Sequence, residues 1–138
     1  MLFRLLPKDA GNPSPRYGPR SSFSQVAATS VNADITNDSN QAWEIENMCA
    51  VLIPGAAQTV TFRRILLRYP DGGIFPIITN PEVALAAAAT DSINWQGRLI
   101  VPPGVAVRAS AGFNAGVAAN FVSLTVLGSL VSTGNLNL

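Results

Sequence analysis

The segment Arg98-Leu99-Ile100-Val101-Pro102-Pro103-Gly104-Val105-Ala106-Val107-Arg108 most constrains what this chain can fold into. It predicts a strand, an enforced stop, and a second strand. Val101, Val105 and Val107 suit a pleated, half-buried surface. Pro102 and Pro103 have no N–H to give to a ladder, and Gly104 permits the reversal. Beyond Arg108 no charged residue occurs up to Leu138. A long uncharged stretch of this kind predicts burial in the fold or against another chain.

At 138 residues the chain is long enough for one domain with a real core. Charged residues make up 12%, against about 25% in an ordinary globular protein. The net charge of +1 gives no whole-molecule attraction to nucleic acid or to an anionic membrane. A neutral, charge-poor surface favours association, so a homo-oligomer is expected. No apolar run approaches the roughly 18 residues of a spanning helix, and Pro7 and Lys8 interrupt the start too early for a secretory signal. Synthesis and assembly in the cytoplasm are therefore expected.

Residues 1–23 form a separate region by composition. Pro7, Pro13, Pro15 and Pro19 lie there, and Arg4, Lys8, Arg16 and Arg20 stand against Asp9 alone. Proline at this density excludes a helix or a central strand and predicts an extended arm. Phe3, Arg4, Leu5, Leu6, Arg16, Tyr17 and Arg20 are its expected partner-binding residues: apolar anchors, and cations for a neighbour's carboxylates. On this reading the arm serves attachment rather than folding.

Residues 24–138 read as a β domain. Strands are predicted over Ser24–Ile35, Ala42–Ile53, Thr59–Tyr69, Ile74–Thr79, Ile93–Val101, Val105–Ser110 and Asn120–Val131. Turn clusters fall at 37–40, 54–55 and 70–73. Pro76 puts its strand near an edge. Pro81–Ala89 is rich in alanine and allows one short helix. The fold class that follows is all-β: a β-sandwich or jelly roll with an extended N-terminal arm.

The chemistry-bearing residues are sparse. The chain has no histidine, which removes the commonest general base and metal ligand. Cys49, the only cysteine, lies in an apolar run and reads as a small buried hydrophobe. Asp34–Asn40 places oxygens at alternate positions like a calcium loop. However, Ser39 stands where that loop needs Gly, and Ile45 where it needs Glu, so a solvated turn is expected. Glu44 and Glu46 alternate along a strand and read as a polar sheet face. Arg64 and Arg68 share a strand face while Arg63 points opposite, which makes no nucleic-acid groove. Trp43 and Trp95 sit among apolar strand residues and are expected in the core. No catalytic residue, metal site or cofactor is expected, and the chain reads as no enzyme.

Trp95-Gln96-Gly97-Arg98 followed by the Pro-Pro-Gly unit and Arg108 resembles the small jelly-roll virion proteins of tailed bacteriophages. Trp43-Glu44-Ile45-Glu46-Asn47 and Arg68-Tyr69-Pro70-Asp71-Gly72-Gly73 are similar to the first half of such modules. The resemblance spans roughly 24–130. It implies a structural role on a phage particle: a head decoration (cement) protein bound to a major capsid or other virion protein, or a collar, spike or fibre-base component. It supplies no catalytic residues. A soluble carbohydrate- or ligand-binding sandwich is the alternative reading of the same pattern.

Overall fold

The computed structural model describes residues 16–117 and 119–131. Nine strands follow one another: β1 (Arg16–Val26), β2 (Ser30–Thr36), β3 (Trp43–Ile53), β4 (Gln58–Arg68), β5 (Ile74–Asn80), β6 (Val83–Leu85), β7 (Asp91–Val101), β8 (Ala106–Phe113) and β9 (Asn120–Leu130). They form two antiparallel sheets, ordered β1-β9-β3-β7 and β2-β8-β4-β5, with the short β6 added to β4. β1 to β4 alternate between the sheets, as do β7 to β9, and each sheet interleaves early and late strands. With β6 set aside, this is the eight-stranded jelly roll of a double-sheet sandwich.

Strand alternation builds the core. In β9, Val122, Leu124 and Val126 point inward, while Ser123, Thr125 and Leu127 point outward. β8 supplies Val107, Ala109, Ala111 and Phe113 from the opposite sheet. Trp43, Ile45, Leu52, Ile65 and Leu124 are among its largest fully buried side chains. The Pro-Pro-Gly stop falls between β7 and β8 and carries the chain from one sheet to the other. Gly104 there adopts φ +84°, where a side chain would be strained.

Four expectations need correction. Residues 16–23, assigned to the arm by composition, form most of β1 and pair with β9 from Arg16↔Ser129 to Phe23↔Ser123. β1 is an edge strand, so Pro19 costs the sheet no ladder bond to a second neighbour. Residues 1–15, including Phe3, Arg4, Leu5 and Leu6, lie outside the described residues. Ser24–Ile35 is two strands in different sheets, broken at Ala27-Ala28-Thr29. Pro81–Ala89 contains no helix; its middle is β6, where Val83 pairs with Val60 and Leu85 with Gln58. Finally, Glu44 and Glu46 do not share a regular face. The β3 register shifts between Ile45 and Asn47 against both neighbours: opposite β9 Glu46 is the extra residue of a bulge, and opposite β7 it faces two residues, Gly97 and Arg98.

Candidate functional site

Three regions bear on function, and the sheet topology places each one.

The first is the end of the sandwich where β1 begins. Arg16 pairs with Ser129, beside the Trp43↔Leu130 and Trp43↔Val101 pairs. The Pro-Pro-Gly turn leaves Val101 at this end and enters β8, where Ala106 pairs with Arg68, and Arg68 with Ile74. The β4–β5 hairpin therefore turns at the same end. It is closed by Gly72 N–H donating to the Tyr69 carbonyl at 2.9 Å and Tyr69 N–H donating to the Gly73 carbonyl at 2.8 Å. Just past the turn, Ile74 is 49% and Phe75 57% exposed. Of the expected arm residues, Arg16 and Tyr17 lie in β1 at this end. Arg20 lies opposite Val126 and makes a 3.9 Å ion pair with Asp38 of its own chain.

The second is the outer face of the β1-β9-β3-β7 sheet. Its rows follow from the register. One row is Pro19, Leu127, Asn47 and Gln96; the next is Ser21, Thr125, Cys49 and Asn94; the next is Phe23, Ser123, Val51 and Ser92. No charged side chain stands in these three rows. The bulges in β3 and β7 dish the first two rows into an open depression of about 520 Å³, lined by Asn47, Cys49, Asn94, Gln96, Thr125 and Leu127 and floored by Met48, Trp95 and Val126. Beside it, Glu44 and Arg98 form an ion pair with each other. Further along, Phe23 stacks on Phe121 with ring centroids 5.9 Å apart. Cys49 is half-buried within the depression rather than in the core. Trp43 is fully buried as expected, whereas Trp95 is only half-buried at the β7 edge, its indole lying where a Cβ on Gly97 would stand.

The third is the outer face of the opposite sheet. Arg64 and Arg68 flank Leu66 on β4, and Arg108 on β8 lies opposite Leu66. The Arg64 guanidinium sits 4.9 Å over the Phe62 ring. Arg108 is held by Asp34 through two hydrogen bonds of 2.7 and 2.8 Å. That bonding, reinforced by the carboxylate charge and opposed by partial burial, raises the Arg108 pKa. A raised arginine pKa leaves the guanidinium charged at every ordinary pH. Arg63 points inward, as expected. It donates to Asp91 of the facing sheet at 2.6 Å and to the Pro81 carbonyl at 3.1 and 2.9 Å.

The Asp34–Asn40 segment is no calcium loop. Asn37 is fully buried, and its side-chain oxygen accepts from Ser39 N–H and from Ser39 Oγ. Asp34 is held by Arg108. Among the described residues, no cluster of His, Cys, Asp or Glu is placed to hold a metal ion.

No protein-family model matches the chain, and no curated protein matches it in sequence. Solved structures do resemble it in shape. The globular domain of zebrafish complement 1qA aligns at TM-score 0.43 and 8% identity, over 81% of this chain and 96% of that one. Murine APRIL aligns at 0.41 and 11%, over 77% and 98%. A CocE/NonD family hydrolase from Staphylococcus aureus aligns at 0.42 and 8%, over 86% of this chain, which spans only 34% of the hydrolase. Likeness at this level transfers no activity, and the β-sandwich assignment rests on the chain's own two sheets.

Proposed function

We propose that this chain is a non-enzymatic structural protein of a virus particle, a decoration (cement) protein that docks on a phage head through the end of the sandwich where β1 begins. The observation that carries the reading is the exposure of Ile74 and Phe75 beside that end. Ile74 and Phe75 are consecutive in β5 and project to opposite faces of it, so each adds exposed apolar surface to this end of a charge-poor protein. β1 begins at this same end with Arg16, next to the β4–β5 hairpin turn in the fold. Weak contacts of this kind gain strength when repeated over a symmetric shell. On this reading the protein resides in the virion, is assembled in the host cytoplasm, and self-associates on the lattice. A collar, spike or fibre-base position is compatible with the same docking end.

The test is co-sedimentation of the purified protein with phage particles from its source. Ile74→Ser with Phe75→Ser is expected to abolish co-sedimentation while leaving the melting temperature within a few degrees. Undiminished binding by the double variant would sink the docking assignment.

A further inference from the structure

We propose that the depression on the outer face of the β1-β9-β3-β7 sheet binds a neutral glycan. This site is separate from the docking end and does not rest on the virion reading.

The residue types carry the argument. Across three adjacent strands, the register sets Asn47 beside Gln96 and Leu127, and Cys49 beside Asn94 and Thr125. Neighbouring strands lie about 4.8 Å apart, so this grid spans roughly 10 Å, the width of a sugar ring with its hydroxyls. The volume of about 520 Å³ lies within the usual range for small-molecule sites. Each carboxamide offers two donors and an acceptor, and Thr125 adds a hydroxyl that does both. Among the described residues, the side chains of Asn47, Asn94, Gln96 and Thr125 hydrogen-bond to no protein atom, unlike Asn37 and Asn120, whose amides are fully engaged. Three uncommitted amides converging on one hollow match a ligand whose groups are hydroxyls that both give and accept.

Charge narrows the class. The lining contains no ionised group, and Arg98, two residues beyond Gln96 on β7, is held by Glu44. An acidic sugar would enter without a counter-charge and lose its hydration. Leu127 beside the amides, and Phe23 and Phe121 further along the face, offer apolar surface to the C–H face of a sugar. A purely apolar ligand would leave the three amides desolvated and unpaired, which disfavours it.

The experiment is a titration of the full chain, labelled with nitrogen-15, followed through its side-chain amide resonances. One panel holds glucose, galactose, mannose, N-acetylglucosamine and their β-linked disaccharides. A second holds sialyllactose and heparin disaccharides. At least one neutral sugar is expected to shift the Asn47, Asn94 and Gln96 amides saturably at millimolar concentration. Asn94→Ala with Gln96→Ala is expected to weaken that binding by about tenfold or more, with the melting temperature unchanged because both residues are exposed. Thr125→Trp, which fills the hollow, is expected to abolish it. The proposal fails if no neutral sugar gives a saturable shift, if the acidic panel binds more tightly, if shifts map elsewhere, or if the double variant binds as well as the parent. Failure here with particle co-sedimentation intact removes this site alone.

Discussion

The Asn37 side-chain amide donates to the backbone carbonyl of Val101, sixty-four residues further along the chain, at 2.9 Å. It also donates to the Gln41 carbonyl at 2.9 Å. The Asn37 main chain completes the tie: its N–H reaches the Val105 carbonyl, and its carbonyl accepts from Gly104 N–H. One buried residue thus fastens the β2–β3 turn to the Pro-Pro-Gly turn. Asn37→Ala strips both carbonyls of that donor and is expected to cost about 1–3 kcal/mol, read by chemical denaturation. Added calcium is expected to leave the stability of the parent and the variant unchanged, since the Asn37 oxygen is already committed.

That tie also marks where reading residues in order stops. The strand-stop-strand unit at 98–108 and the hairpin turn at 70–73 are legible because Pro and Gly act locally. β9 is legible because its alternation runs along the strand, and β3 and β4 because their apolar residues are dense and end at turn signals, Pro54-Gly55 and Pro70-Asp71-Gly72-Gly73. The break at Ala27-Ala28-Thr29 carries no Gly, Pro or Asn, so β1 and β2 read as one strand. The alanine run at 84–89 has helix propensity, yet β6 forms there because the β4 backbone offers it a ladder. The amide-lined hollow was hidden for a similar reason. Asn47, Asn94 and Gln96 are ordinary in sequence, and only strand order and the β3 bulge bring them together.

Trp43 and Gly128 define a second dependence. A Cβ on Gly128 would collide with the Glu44 carbonyl oxygen and stand 2.9 Å from both the Trp43 indole nitrogen and the Ile45 Cα. Gly128 is the space into which β3 and Trp43 settle. Gly128→Ala is expected to destabilise by about 1–3 kcal/mol through overpacking, and Trp43→Ala by about 3–5 kcal/mol through the cavity it leaves. Because the residues touch, the double variant should not equal the sum of the two. Strict additivity in urea denaturation would show that they do not share one packing site.

Arg63, midway along β4, and Asp91, at the start of β7, join the two sheets, and both are mostly shielded, at 12% and 22% side-chain exposure. Arg63→Met keeps the aliphatic stem but leaves Asp91 and the Pro81 carbonyl without their donor. A loss of about 1–3 kcal/mol is expected. Adding Asp91→Leu should recover part of it, because a shielded pair replaced on both sides no longer strands a charge. No recovery in the double variant would locate the cost at Pro81 instead.

The boundary between arm and body is open to direct measurement. β1 holds the outer edge of β9 from Arg16↔Ser129 to Val26↔Asn120, stacks Phe23 on Phe121, and sets Arg20 against Asp38. Deleting residues 1–23 removes most of that strand and bares the β9 edge, a template for pairing with another chain. That variant is expected to melt well below the parent and to aggregate. Deleting residues 1–15 leaves β1 whole, so its melting temperature should match the parent. If the preceding segment supplies docking contacts, that shorter deletion should lower co-sedimentation with particles while Ile74 and Phe75 still contribute. Equal melting for both deletions would show that β1 adds little to the fold. Equal particle binding by the parent and the 1–15 deletion would confine attachment to the sandwich itself.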